Sequence, residues 1–453
     1  MGRSLPLTVA VLLLVLSPLV LSGSVSSVRP PKGAWHGFKE YIKSLPGAGG
    51  QETDGGEHDN SADTAGANIS SILDITTDLV WSQCAPCTAC VPAPTFEPNR
   101  SGTFSRLPCR SQTCQRVVVN QTCPAANAAP TDDYCGCVAS YGDDTNTTGY
   151  LANIVHVRLD PGPRHGVTPL VFGCSGASVG DFSGASGVFG FSRGPLSLVS
   201  QLELSWFSYF WASDDSGSDS FIQLGDDKVI RTPSSRSTPL LSSTLYPDLY
   251  VVNITGIKVG DELQRDIQAG TFDLRANGSG GVFLSTTVPV TFLEEAAYNV
   301  VKKAVARRIN ATNVDGSALG LDLCYTIQSM ANLTVPKLAL VFDGTDAVMN
   351  LKRSNYFHDN TTGLDCLRLV FHPNERKLAL FPKTSLGKSV MKCPIETGLT
   401  ILPYRGASLL SSLLQTDRNM TYDIANGQRS FSRPWQRRRP RLLRRCTLWH
   451  RLC

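Results

Sequence analysis

The 453-residue chain has one long apolar run, Leu5 to Leu21, and nothing comparable after it. That run lies behind Arg3 and ahead of the small residues Ser22, Gly23 and Ser24, which fits a secretory signal over 1–24 better than a membrane span. Without a second run, no membrane-spanning segment is expected. Val, Ile, Leu, Phe, Tyr and Trp are all missing from Gly47 to Ala67, so this stretch cannot supply a core strand and residues 25–67 are expected to form a propeptide-like, flexible lead-in. Acidic residues are missing from Arg433 to Cys453, which holds eight Arg. The net charge of +4 therefore hides a main body at 4 − 8 = −4. No aromatic platform or fold surrounds those arginines, so 433–453 is expected to be a solvated, disordered tail and no nucleic-acid partner is expected. The Cys84-x2-Cys87-x2-Cys90 spacing lacks a fourth ligand nearby, which argues against a metal centre.

What is present points to an exported globular protein. The composition is 42% hydrophobic, enough for a sizeable core. Ten Asn-x-Ser/Thr sequons, at Asn68, Asn99, Asn120, Asn146, Asn253, Asn277, Asn310, Asn332, Asn360 and Asn419, take up more than half of the Asn residues. There are fourteen Cys, eight of them between Cys84 and Cys137, a density natural to an oxidising compartment. Cys84, Cys87, Cys90, Cys109, Cys114, Cys123, Cys135, Cys137, Cys324 and Cys366 are assigned to disulfides. The connectivity stays open, since eight Cys alone allow about 105 pairings.

From Ile69 onward, short Val, Ile, Tyr, Phe and Thr runs alternate with Gly, Pro, Asn and Asp clusters. Arg116 to Val119, Tyr150 to Leu159 and Leu170 to Phe172 are expected strands of a first half, 68–235. A Ser/Pro/Arg patch at Arg231 to Thr238 suits a connection to a second half, 236–432, with strand-like runs at Leu249 to Val259, Val282 to Thr291, Lys337 to Phe342 and Met420 to Phe431. Residues 371–403 lack periodicity and are expected to be an inserted surface segment. The clearest helix spans Phe292 to Ile309, with Glu294 and Glu295 at its start and basic residues near its end. A smaller one is expected from Leu196 to Leu204.

The stretch from Ser71 to Cys84, S-I-L-D-I-T-T-D-L-V-W-S-Q-C, brings one carboxylate, Asp74, into a Thr-rich turn. Gly280 to Leu293, G-G-V-F-L-S-T-T-V-P-V-T-F-L, repeats the pattern with Ser285 at the corresponding position. Two facing carboxylates could share one proton, the ionised one activating water and the protonated one polarising a carbonyl. Here only one half has its carboxylate. Gly190-Phe191-Ser192-Arg193-Gly194 also fits the G-x-S-x-G pattern of a serine hydrolase, but that motif needs a strand-to-helix turn in a parallel sheet, an acid and a His. The seven His show no suggestive placement.

Asp74, Thr77 and Trp81, the Cys-rich insert after Trp81 and Tyr141-Gly142-Asp143 resemble the pepsin-like aspartic peptidases, in particular their plant nepenthesin-like branch. So do Val171-Phe172-Gly173-Cys174, Gly187 to Leu198, Leu321 to Tyr325 and Met420 to Asp423. The resemblance implies an all-β, bilobal pepsin-like acid protease fold, its cleft lying between two pseudo-twofold related lobes. It implies Asp74 as the first catalytic Asp, Ser285 at the position of the missing second, and Tyr141, Trp81 and Thr77 as substrate-binding residues. The family activity is hydrolysis of a protein or peptide substrate at acid pH, without cofactor. Set on the family's Ser/Thr-Gly and apolar-apolar-Gly positions, Thr286-Thr287 and Leu409-Leu410-Ser411 depart at their last residue, as do Ile75 and Thr76 in the first turn: Ile75 replaces a Thr that ties the two loops together, and Thr76, Thr287 and Ser411 replace glycines. Xylanase-inhibitor and basic-globulin relatives carry a similar Ser-for-Asp replacement, which implies a non-catalytic protein-binding alternative. A monomer, secreted to the apoplast or cell wall or held in the vacuole, is expected in either case.

Overall fold

The computed structural model describes residues 71–117, 133–141, 145–154, 169–180, 182, 184–213, 220–225, 234–288, 290–317, 321–359, 364–370 and 406–432. The expected signal, lead-in, 371–403 segment and Arg-rich tail lie outside the described residues, as do Cys123 and the Gly142-Asp143 pair.

Strands dominate. Ser71–Asp74 runs parallel to Gly187–Gly190, with Leu73 opposite Phe189 and Asp74 opposite Gly190. The seven-stranded sheet continues through Trp81–Gln83, Leu170–Val179 and Asn146–Ile154 to Ser105–Arg106, with Gly136–Ser140 also paired to Asn146–Ile154. Gly190 is required where it stands, because a Cβ there would come within 2.5 Å of the Asp78 carbonyl oxygen.

The second half repeats this core motif. Val282–Leu284 runs parallel to Ser408–Leu410, with Leu284 opposite Leu410, in a five-stranded sheet with Val251–Val252, Thr291–Phe292 and Leu369–Val370. Ser285 thus follows its strand just as Asp74 ends its own. Ser411 stands where the first half has Gly190, and its side chain is accommodated by hydrogen bonding. Thr291 Oγ1 donates to Ser411 Oγ at 2.9 Å and accepts from the Ser411 amide at 3.1 Å.

A third sheet joins the halves, in the order Arg236–Pro239, Gln428–Ser432, Asn419–Asp423, Trp206–Phe210 and Phe221–Gly225. Its centre is aromatic, with Phe207 stacked on Tyr422 at 4.6 Å between ring centroids. One hydrophobic cluster runs through it from Leu73 and Ile75 to Leu284, Leu410 and Phe431, so the halves share a core.

The expected long helix is present as Glu295–Ala306, buried through Ala297, Tyr298, Val301, Ala304 and Val305. Glu294 caps it by accepting from the Ala297 amide at 3.1 Å. It starts later than expected because Thr291–Phe292 is drawn into the sheet against Ser408–Leu410 and Leu369–Val370. The smaller helix is confined to Leu198–Gln201. The strand expected at Arg116 to Val119 is corrected over its described part: Gln112–Val117 is helical, and residues 118–119 lie outside the described residues. The Ser111 hydroxyl accepts from the Cys114 amide at 3.2 Å, and the Cys114–Cys135 disulfide pins the turn to the core. Those tertiary links override the β preference of the valine run.

Among the described residues, disulfides join Cys84 to Cys174, Cys87 to Cys90, Cys114 to Cys135 and Cys324 to Cys366. Cys109 and Cys137 are disulfide-bonded as well. Cys174, outside the Cys-dense stretch, is the partner that sequence reading missed. Its bond to Cys84 closes a separation of 90 residues and ties the Cys-rich insert to strand Leu170–Val179. Peptide mapping without reduction is therefore expected to yield the Cys84–Cys174 pair. Replacing both with Ser should lower unfolding stability by about 2–5 kcal/mol in denaturant titration.

Candidate functional site

The two turns that end the paired strands meet at the junction of the halves. Thr286 Oγ1 donates to the Leu73 carbonyl at 2.9 Å and accepts from the Ile75 amide at 3.3 Å. These contacts bracket Asp74 and place Ser285 in the facing loop. The reverse contact is missing in kind, because Ile75 carries no hydroxyl. Its side chain is fully buried in the shared core instead.

Asp74 is 4% exposed. Its Oδ1 accepts from the Thr76 amide at 2.8 Å and from Thr76 Oγ1 at 2.6 Å. Burial raises its pKa above the ordinary carboxylate value, and the two Thr76 bonds oppose that rise. No second carboxylate contributes to the shift. Thr76 thus stands in place of glycine without left-handed backbone, since among the described residues positive φ at non-glycine positions is confined to Glu203, Asp346 and Asp417.

Ser285 is fully buried. Its Oγ accepts from the amides of Thr287 and Val288, each at 3.2 Å, and lies 3.3 Å from Thr287 Oγ1. Gln415 Nε2 donates to its carbonyl at 2.8 Å, and the Ser285 amide donates to Leu410 O at 3.0 Å. The serine hydroxyl therefore satisfies its own turn. It presents neither a charge nor an acid proton of useful pKa.

Trp81 and Tyr141, two of the residues singled out by the resemblance, are brought together. Trp81 Nε1 donates to the Tyr141 hydroxyl, and Phe182 packs edge-on against both rings at 5.1 and 6.0 Å. Burial pushes the Tyr141 phenol up, and the nearby Asp74 charge adds to the rise. Thr77 is fully buried. Its hydroxyl makes no hydrogen bond of normal geometry, yet it lies near enough to the Tyr141 oxygen to lower that pKa slightly.

Two features here were not legible in the sequence. Gln415 links the Ser285 carbonyl to Tyr209, whose hydroxyl donates to Gln415 Oε1 at 2.6 Å. Asp78, four residues past Asp74, accepts from the Leu196 amide at 2.8 Å. Burial, helped by the charge of Asp248 from the second half, pushes its pKa up to about 7 against the pull of the Leu196 and Ser197 amides. Only residue type at that position could have hinted at it. Ser192 does not form a hydrolase elbow: its Oγ accepts from the Gly194 amide at 3.1 Å, and the preceding strand, Gly187–Gly190, lies parallel to Ser71–Asp74 but antiparallel to Trp81–Gln83. Of the seven His, only His358 lies among the described residues.

Two half-motifs facing each other across a shared sheet, each ending in a turn, define a pepsin-like fold. Two family models match, described as xylanase inhibitor N-terminal over residues 61–226 and xylanase inhibitor C-terminal over residues 249–433. The chain is 35% identical to aspartic proteinase nepenthesin-2 of Nepenthes gracilis over 68% of its own length and 67% of that protein. With nepenthesin-1 of the same plant it shares 34%, over 68% of each chain. The crystal structure of basic 7S globulin from soybean superposes with a TM-score of 0.54, covering 80% of this chain and 89% of that one at 18% identity. The chain belongs to the pepsin-like aspartic protease family.

Two outcomes follow from the geometry. Replacing Thr286 with Val removes both contacts across the junction and strands the Leu73 carbonyl, so a loss of about 1–3 kcal/mol is expected in denaturant unfolding, with Thr286→Ser keeping most of it. Asp78 is ionised in the unfolded chain above pH of about 4 but keeps its proton in the folded chain up to about pH 7. Folding takes up a proton in that window, so stability falls as pH rises through it, by at most ~1.4 kcal/mol per pH unit from this group. Asp78→Asn should flatten that slope in unfolding titrations between pH 4 and 7.

Proposed function

We propose that this chain is a secreted, extracellular member of the family in which peptide-bond hydrolysis is strongly impaired. The observation that carries the reading is the state of Ser285. Water activation in a two-carboxylate site needs one group to take a proton and a second to give one. Asp74 can take or give a single proton. Ser285 cannot share it, and its oxygen is already occupied by the Thr287 and Val288 amides. Thr76 further narrows the turn by bonding the Asp74 oxygen that it covers.

A binding role is the second reading, in which the cleft holds a polypeptide partner without cutting it. Supporting it is the match to family models described as xylanase inhibitor domains. The partner in that case is a protein rather than a substrate that turns over. Both readings call for a monomer acting on or holding polypeptide, outside the cell or in the vacuole.

Losing a catalytic acid or base costs a factor of roughly 10² to 10⁴ in rate. Purified protein is therefore expected to show little or no pepstatin-sensitive cleavage of denatured globin between pH 3 and 5. Ser285→Asp alone should recover little; adding Thr76→Gly and Thr287→Gly should recover more. Robust pepstatin-sensitive cleavage by the unmodified chain, lost in Asp74→Asn, would overturn the impaired-site reading.

A further inference from the structure

Seven of the ten sequons fall on described residues, and their side chains are in different states. Asn277, in Asn277-Gly278-Ser279, is exposed in the loop closed by the Leu274–Gly280 bridge. Its Oδ1 accepts from the Ser279 amide at 3.0 Å and from Ser279 Oγ at 2.7 Å. This side-chain turn is stabilised by Gly278, whose φ of +78° suits glycine. Asn277 Nδ2 has no partner among the described residues. Three other sequons are engaged elsewhere: Asn146 pairs with Ser140 and Val179 in the seven-stranded sheet, Asn253 Nδ2 donates to Asp273 Oδ1 at 3.0 Å on the surface, and Asn419 Oδ1 accepts from Ser208 Oγ at 2.7 Å within the sheet that joins the halves. Asn99, Asn310 and Asn332 are exposed, but none has its carboxamide bonded to the hydroxyl two residues on.

We propose that Asn277 is an N-glycan attachment site, selected by its side-chain turn, a proposal that rests on the export reading above. The donor would be an oligosaccharide carried on a lipid diphosphate. Two hydrogen bonds at Oδ1 draw electron density from the amide and make the Nδ2 proton more acidic. Nδ2 then forms a bond to the first sugar carbon, the bond from that carbon to the lipid diphosphate breaks, and the Nδ2 proton passes to a base on the transferase. The diphosphate leaves with the bonding pair, so no oxidant or reductant is needed. The fold has room for the product, because Asn277 projects from a loop rather than from a sheet.

The attached sugars would have a second consequence. Leu245 is 46% exposed and abuts Gly278, where a Cβ would meet its Cγ at 2.7 Å. The first sugars on Asn277 would lie beside this leucine and shield it from contact with other molecules.

The full chain, with a secretory leader added in front of it, would be expressed in plant cells and the released protein deglycosylated by an amidase in ¹⁸O-water. Peptide mapping is expected to show ¹⁸O-labelled Asp in place of Asn277 in most molecules, with Asn253 and Asn419 unlabelled. Ser279→Thr should keep the label and Ser279→Ala should lose it. An unlabelled Asn277 in released chain, or equal labelling of Asn253 and Asn419, would overturn the proposal. A parallel sample with only the chain's own leader separates the two readings. Its retention inside the cell would count against export, while the added-leader sample still decides Asn277.

Discussion

The hydroxyl of Thr286 is the contact on which the junction of the halves depends. It reaches across to the Leu73 carbonyl and the Ile75 amide, positions 213 and 211 residues away in sequence. Both groups are buried backbone atoms beside Asp74, and leaving either unpaired would cost more than the bond itself contributes. Because Thr286 follows Ser285 directly, its bonds fix the second turn against the first. The opposite half of this tie is replaced by packing, since Ile75 turns into the shared core. Burying a side chain of that size contributes about 1.5–3 kcal/mol, comparable with a pair of hydrogen bonds. The junction therefore keeps its strength while losing its symmetry.

The same exchange recurs throughout the site. Ser285 keeps the amides of its turn satisfied, as a carboxylate oxygen at that place would, but brings no charge. Ser411 replaces a glycine and is held by Thr291. Gln415 then braces the Ser285 carbonyl from below and carries the support through Tyr209 into the aromatic sheet. The departures at Thr76, Ser285 and Ser411 are each met by local hydrogen bonds, and the one at Ile75 by packing. The result is a site in which Asp74 is the one buried acid of the two facing turns, with no carboxylate in the turn of Ser285.

Much of this was legible in the chain before folding was considered. The duplicated stretches around Asp74 and Ser285 are short apolar runs ending in turn residues, a local pattern, and they form matching strands. Trp81 and Tyr141 were recognisable by motif and do hydrogen-bond. What escaped notice depends on distance in space. Cys174 meets Cys84 across 90 residues, Gln415 meets Ser285 across 130, and Asp78 meets Asp248 only because the halves close on each other. The helix at Gln112–Val117 shows the reverse case, a local β preference overridden by a disulfide and a serine cap.

The loss of the second carboxylate changes the energetics of the site as well as its chemistry. Two acids buried side by side repel unless one keeps its proton, and holding them so stores strain that catalysis can use. With Ser285 that repulsion is gone, and the rise in the Asp74 pKa comes from burial alone. Threonine in place of glycine at Thr76 and Thr287 restricts the unfolded chain more than glycine would, at positions where no left-handed backbone is required. Both changes favour a stable, rigid cleft over a reactive one. In the binding reading proposed above, a rigid site would hold a polypeptide in one fixed pose, because little ordering remains to be done when it binds.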